Sequence, residues 1–168
     1  MALTIRPHRP DDIEPLTALY NTFIRNTSIT FDLEPYTVER RRETWFDHYA
    51  ATGPHRLLVA VLDGEVVGYA TSSPFATKAA YQTSVEASVY LKETAHGRSI
   101  GTQLYQTLFD QLKTEDVHRI YAGITLPNPA SIALHRKLGF QPVGVYREVG
   151  RKFGRYWDVE WWEKAIED

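Results

Sequence analysis

The chain has 168 residues, 43% hydrophobic and 24% charged, which suits one domain with a substantial core and leaves too little chain for two. Nineteen basic and twenty-one acidic side chains give a net charge of −2, so bulk charge offers no reason to expect a nucleic acid or a membrane as partner. Cysteine is absent, which excludes disulfides, thiolate nucleophiles and Cys-type zinc sites. The N-terminus has no apolar signal core, and no run approaches the roughly 18 apolar residues of a membrane span. A cytoplasmic protein is expected.

Leu3 to Arg6 reads as a short first strand. Asp11 is the expected N-cap of a helix over 12–25, with Glu14 completing a capping box. Ile13, Leu16, Leu19, Tyr20, Phe23 and Ile24 give that helix one apolar stripe. Asn26 to Pro35 has no period and reads as a loop, although Ile29, Phe31 and Leu33 are unusual residues to leave in water. Thr37 is the expected cap of a second helix reaching about Ala50, stopped by Gly53-Pro54. Leu57–Leu62 and Glu65–Thr71 form a hairpin around Asp63-Gly64.

After an irregular stretch, Ser72 to Gln82, comes a central strand, Ser84–Lys92. Ile100–Lys113 is helical, with Leu104, Leu108 and Leu112 four apart. Arg119–Ile124 is a strand, Pro127-Asn128-Pro129 is a break, and Ala130–Leu138 is a short helix closed by Gly139. Pro142–Val149 and Tyr156–Glu163 alternate as two antiparallel strands. Four helices among seven strands predict a mixed α/β sheet.

Three features could carry chemistry. The loop His96-Gly97-Arg98-Ser99-Ile100-Gly101-Thr102 lies between a strand and a helix, where free backbone N–H groups and the helix dipole favour a pyrophosphate. An ordinary loop with a solvated arginine has the same composition, and the segment matches neither the Walker A nor the Rossmann pattern. On the central strand Glu86 shares a face with Ser88 and Tyr90, opposite Val85, Ala87, Val89 and Leu91. A carboxylate there is either ion-paired or a general base facing a cavity, and pairing is the commoner case.

His135 sits one helical turn from Ser131, where structural histidines outnumber catalytic ones. The other histidines, 8, 48, 55, 96 and 118, lack metal-ligand spacing, and no metal is expected. Phe31, Phe75, Lys78 and Tyr81 occupy the two irregular segments, and such residues line either a small anion pocket or loop packing. Trp157, Trp161 and Trp162 suit a core or a subunit interface.

Taken together, Thr83-Ser-Val-Glu86-Ala-Ser-Val-Tyr-Leu91, Asn128-Pro-Ala-Ser131-Ile-Ala-Leu-His135-Arg-Lys-Leu-Gly139-Phe140 and Lys152-Phe-Gly-Arg-Tyr-Trp-Asp158 resemble the GNAT superfamily of acyl-CoA N-acyltransferases. Within it the chain resembles the phosphinothricin/methionine sulfoximine N-acetyltransferase group over nearly its whole length. The resemblance implies an α+β fold of GNAT type: a mixed, mostly antiparallel seven-stranded sheet with about four helices and central strands splayed at the CoA site. It implies acetyl-CoA as co-substrate, a small-molecule amine as acceptor and a homodimer.

By the same resemblance, Glu86 would be the general base and His135 the proton source for the leaving thiolate. Val89, Tyr90 and Leu91 would pair with the pantetheine, Asn128 and Ser131 would hold it, and residues 96–102 would wrap the pyrophosphate. Phe31, Phe75, Lys78 and Tyr81 would meet the substrate. His96 and Ser99 depart from the family's Gln/Arg-x-x-Gly-x-Gly/Ala loop, and a serine keeps its N–H in place if its φ stays negative. Ala76 stands where relatives often carry a basic residue, which argues against assuming phosphinothricin itself. The alternatives are a non-catalytic acyl-CoA sensor and an acetyltransferase for protein N-termini or polyamines.

Overall fold

The computed structural model describes residues 1–166, in which the alternating strands assemble into one open seven-stranded sheet. The elements are β1 (Leu3–Pro7), α1 (Ile13–Asn26), α2 (Val38–Thr44), β2 (Leu57–Leu62), β3 (Glu65–Pro74), β4 (Ser84–Leu91), α3 (Ile100–Leu112), β5 (Arg119–Thr125), α4 (Pro129–Lys137), β6 (Gln141–Lys152) and β7 (Arg155–Ala165). The spatial order is β1-β2-β3-β4-β5-β7-β6. Only β4 and β5 run parallel; every other pair is antiparallel. The expected mixed, mostly antiparallel sheet with four helices is what forms.

The period-two alternation sorts the core into two layers. Leu58, Ala60, Ala70, Val85 and Ala87 face Leu104, Leu108 and Leu112 of α3. Leu57, Val59 and Tyr69 face Ile13, Leu16 and Leu19 of α1. Glu86, Ser88 and Tyr90 therefore point toward α1 and α2, and the Tyr90 ring packs on Tyr20, Phe23 and Tyr69. At the β2–β3 turn Asp63 and Gly64 take φ of 50° and 86°, the left-handed pair a two-residue hairpin requires. No helix among the described residues is long and apolar enough to cross a membrane.

Several boundaries differ from the sequence reading. Helix α1 starts at Ile13 after a 3-10 turn, Pro10–Asp12, and the carboxylate at its start is Asp12, not Asp11. Asp12 accepts hydrogen bonds from Arg9 N and the Arg6 guanidinium, so it ties the helix to β1 instead of capping its own N–H groups. Helix α2 ends at Thr44, not near Ala50, because Trp45 leaves helical geometry (φ −142°) and packs its ring on Tyr69 and Tyr49. Thr37 does cap it, accepting from Arg40 N at 3.2 Å. Strand β3 runs on to Pro74, because Ser72 and Ser73 pair with Ala87 and Glu86. The last two strands extend to a tight turn at Phe153-Gly154.

The loop between α1 and α2 is organised by polar groups buried on α1. Asn21 brackets Tyr36, accepting from its N–H and donating to its carbonyl, each at 2.9 Å. The Tyr20 hydroxyl bonds Thr30 Oγ1 at 2.7 Å and also donates to Asp32. From the far hairpin, the buried Lys152 ammonium donates to Thr30 O at 2.9 Å. Those bonds satisfy the loop backbone, which apolar side chains could not do.

Candidate active site

Strands β4 and β5 pair only where Ser84–Glu86 meet Arg119–Tyr121. Beyond that they diverge, so Ala87–Leu91 keep ladder partners on β3 alone. The gap is lined by Ser88, Val89 and Tyr90 of β4, Gly123 and Thr125 of β5, Asn128, Ser131 and His135 of α4, and Tyr105. It adjoins a cavity of about 530 Å³ walled by Tyr20, Thr30, Phe31, Glu86, Tyr146 and Trp161, among others. Phe31 is held against Gly150, where an added Cβ would come within 2.2 Å of the ring. Glycine at 150 thus lets Phe31 serve as a wall.

Glu86 is half-buried and has neither a hydrogen-bond partner nor an ion pair among the described residues. Burial pushes its carboxyl above the ordinary carboxylate range. The salt bridge that is the commoner role for such a residue is not made.

His135 is buried, and burial pulls its imidazole below the ordinary histidine value, so the ring is neutral at neutral pH. Its Nδ1 lies 2.7 Å from Ser131 O, an acceptor only, so Nδ1 carries the proton and Nε2 is left to accept from the Tyr105 hydroxyl at 3.3 Å. Asn128 Oδ1 accepts from Ser131 N at 3.1 Å and caps α4. Four of the expected cofactor residues, Val89, Tyr90, Asn128 and Ser131, therefore line one gap together with His135, expected to be catalytic.

The loop 96–102 leads into the N-terminus of α3, which no side chain caps, so its first N–H groups lack intrahelical partners. Gly101 is buried, and a Cβ there would lie 3.4 Å from Leu91 at the end of β4. Ser99 corrects the sequence reading: its φ is +58°, not negative, so a side chain occupies the left-handed conformation that glycine takes without strain.

The substrate-side expectations divide. Phe31 lines the cavity. Phe75 lies one layer out, its ring 4.6 Å from Tyr121 and 6.2 Å from Trp161. Lys78 and Tyr81 are exposed and belong to none of these walls. The sequence reading missed Tyr20, Ser88, Thr125, Tyr146, Trp161 and Tyr105 as wall residues. Ser88 and Trp161 were signalled by strand alternation with Glu86 and Val159; Tyr105 was hidden beside the leucine stripe of α3.

A family model described as an acetyltransferase (GNAT) domain matches residues 5–161. The chain belongs to the GNAT acetyltransferase family. It is 55% identical over 164 residues to a phosphinothricin N-acetyltransferase of Streptomyces coelicolor, covering 96% of this chain and 95% of that one. It is 35% identical to an L-methionine sulfoximine/L-methionine sulfone acetyltransferase of Pseudomonas aeruginosa, covering 95% and 92%. Among solved structures, a GNAT phosphinothricin acetyltransferase from Sinorhizobium meliloti in complex with acetyl-CoA superposes with a TM-score of 0.92 at 30% identity, over 99% of this chain and 89% of that one. This GNAT protein is an acetyl-CoA-dependent N-acetyltransferase, and the splay of β4 from β5 belongs to its fold.

Proposed function

We propose that this GNAT enzyme acetylates the α-amine of a small amino acid of the phosphinothricin or methionine sulfoximine/sulfone type, by direct attack on the thioester. The observation that carries the reading is Glu86: an unpaired, half-buried carboxylate on the wall of the cavity that adjoins the β4–β5 gap. Relatives acting on such amino acids match almost the whole chain.

The residues present fit acetyl-CoA. Val89, Tyr90 and Leu91 lie where β4 has no neighbour on the β5 side, so their backbone is free to pair with a pantetheine amide, beside Asn128 and Ser131. Residues 96–102 bring the uncapped end of α3 to the pyrophosphate. When bound, the thioester supplies an activated acyl carbon. The protein does the rest.

An aliphatic α-amine is mostly ammonium at neutral pH, so it must lose a proton before attack, and Glu86 takes it. The raised pKa of Glu86 makes it a stronger base than an exposed carboxylate. A β4 N–H in the 89–91 region meets the charge that develops on the carbonyl oxygen. His135 keeps its own N–H on Ser131 and its Nε2 accepts from Tyr105, so the ring has no free proton to give. The Tyr105 hydroxyl, on the wall of the same gap, offers the departing sulfur a hydrogen bond, and the thiolate takes its proton from the attacking nitrogen as the amide forms. Holding amine and thioester side by side contributes most of the rate.

Lys78, exposed in the single chain, enters the reading through a homodimer in which a neighbouring copy presents it to the substrate carboxylate. Exposed Val143, Tyr146, Val149, Phe153 and Tyr156 on the β6–β7 hairpin suit burial between copies. A sedimentation measurement finding only monomer would remove Lys78 from the site.

The test of the substrate is thiol release from acetyl-CoA over a panel of amino acids and their sulfoximine, sulfone and phosphinic analogues, with spermidine and an alanyl peptide as controls. The highest kcat/KM is expected for one of the sulfur or phosphorus analogues. Preference for the polyamine or the peptide contradicts the assignment, and saturable CoA binding with no turnover on any amine contradicts an enzyme.

A further inference from the structure

On the β3 side of Glu86 lies a separate chamber of about 260 Å³. Its walls include Arg41 and Trp45 at the end of α2, Tyr69 and Ser73 of β3, Asp32, and Glu86 itself. Arg41 is only 5% exposed. Its guanidinium carbon sits 3.9 Å from the Tyr20 ring centre and 4.0 Å from that of Trp45, so aromatic faces cover it.

Stacking satisfies the faces of a guanidinium and leaves its N–H edge unserved, since its five donors lie in the plane. No ion pair to Arg41 exists among the described residues. Its Nε is buried without any acceptor, and the Tyr69 hydroxyl, in the same chamber, is buried without a partner as well. Asp32 shares the chamber, but its carboxylate is taken up by the hydroxyls of Tyr20 and Tyr36. A buried cation with an unpaired donor edge is costly unless an anion arrives to meet it.

The reading of the substrate as a small amino acid supplies such an anion. Resting on it, we infer that this chamber is the subsite for an acidic group of the substrate, with Arg41 as the residue that binds the oxyanion and Tyr69 as a second donor. Glu86 and Arg41 then set opposite charges at two places in one chamber. An amino acid is oriented by them, ammonium toward the carboxylate and acid toward the guanidinium. Lys78 lines no wall of this chamber, so any contact it makes with the substrate from a neighbouring copy is separate from this subsite.

Two acids could occupy the subsite, the α-carboxylate shared by every candidate or the side-chain phosphinate of phosphinothricin, and the experiment separates them. Steady-state kinetics are measured for the parent enzyme, Arg41→Gln and Arg41→Lys, with phosphinothricin, L-methionine sulfone and the α-carboxamide of each. Arg41→Gln is expected to raise KM for the bound acid about 10- to 100-fold, the worth of a charged hydrogen bond, with acetyl-CoA KM unchanged and Arg41→Lys intermediate. If the α-carboxylate is the ligand, both amino acids lose affinity and the carboxamides lose none. If the phosphinate is, phosphinothricin and its carboxamide lose affinity and methionine sulfone does not.

Should the variant turn over every acid with a KM within about twofold of the parent, Arg41 is an aromatic plug and the inference fails. Should the parent acetylate none of these acids, the substrate reading fails instead. In that case, or if neither variant folds, a crystal of the parent soaked in sodium methylphosphinate alone or in sodium acetate alone decides. An oxyanion at the Arg41 guanidinium supports the subsite; solvent there with both salts overturns it.

Discussion

Replacing Glu86 by glutamine is expected to remove most of the turnover of this enzyme while raising its thermal stability at neutral pH. Both effects follow from the carboxylate's position on a cavity wall with no ion pair among the described residues. Without the base, proton removal from the ammonium falls to solvent, and kcat should drop about 10²- to 10⁴-fold with little change in KM for acetyl-CoA. In the parent, kcat/KM should fall as pH falls through the Glu86 pKa, and that limb should lie above the ordinary carboxylate range because burial raises it.

The stability effect has the opposite sign. A carboxyl whose pKa is raised by folding favours the native state while it holds its proton, below its unfolded value. That contribution is lost as pH rises through the folded value. At neutral pH the parent therefore bears an ionised, desolvated group that glutamine does not carry. Each kcal/mol relieved is worth about 2–4 °C of Tm in a domain of this size. Melting curves from neutral pH down to the acid range should show the gap closing as Glu86 protonates. Equal rates in mutant and parent across pH would remove Glu86 as the base, and a lower Tm for the mutant would mean the carboxylate has a partner in solution.

The second large effect is expected at Ser99. An aspartate placed there brings a carboxylate to the positive end of α3, worth about 0.3–1 kcal/mol against the helix dipole, and aspartate tolerates a left-handed φ better than most residues. The same charge repels a pyrophosphate bound at those N–H groups, at about 1 kcal/mol per charge pair in water and more near the protein. Ser99→Asp should thus keep or raise Tm while raising KM for acetyl-CoA at least tenfold, and added salt should recover part of the loss. Ser99→Gly should relieve the left-handed strain and leave KM for acetyl-CoA no higher than the parent's. If Ser99→Asp leaves that KM unchanged at low salt, the pyrophosphate binds elsewhere.

Much of this molecule was legible in the chain because its signals are local. The alternation around Glu86, the Asp63-Gly64 pair and the Leu104, Leu108, Leu112 stripe each specify an element from a few neighbouring residues, and each forms. What was not legible depends on distant partners. The divergence of β4 from β5 follows from a parallel pairing only three residues long. Nothing in the run Arg40-Arg41-Arg42 marks the middle residue as the one that turns inward between Tyr20 and Trp45. Tyr105 reads as one more core aromatic until α4 brings His135 to its hydroxyl. The left-handed backbone at Ser99 is a property of the turn into α3, which composition does not encode.

Every step of the transfer requires the thioester to lie in the β4–β5 gap. A crystal structure of the enzyme with acetyl-CoA and the Glu86→Gln substitution, which prevents turnover, measures that directly. Pantetheine alongside residues 87–91 is expected, with the acyl carbon facing residue 86 and the sulfur beside the Tyr105 hydroxyl. Pantetheine outside the β4–β5 gap, or a residue 86 side chain turned away from the acyl group, would contradict it.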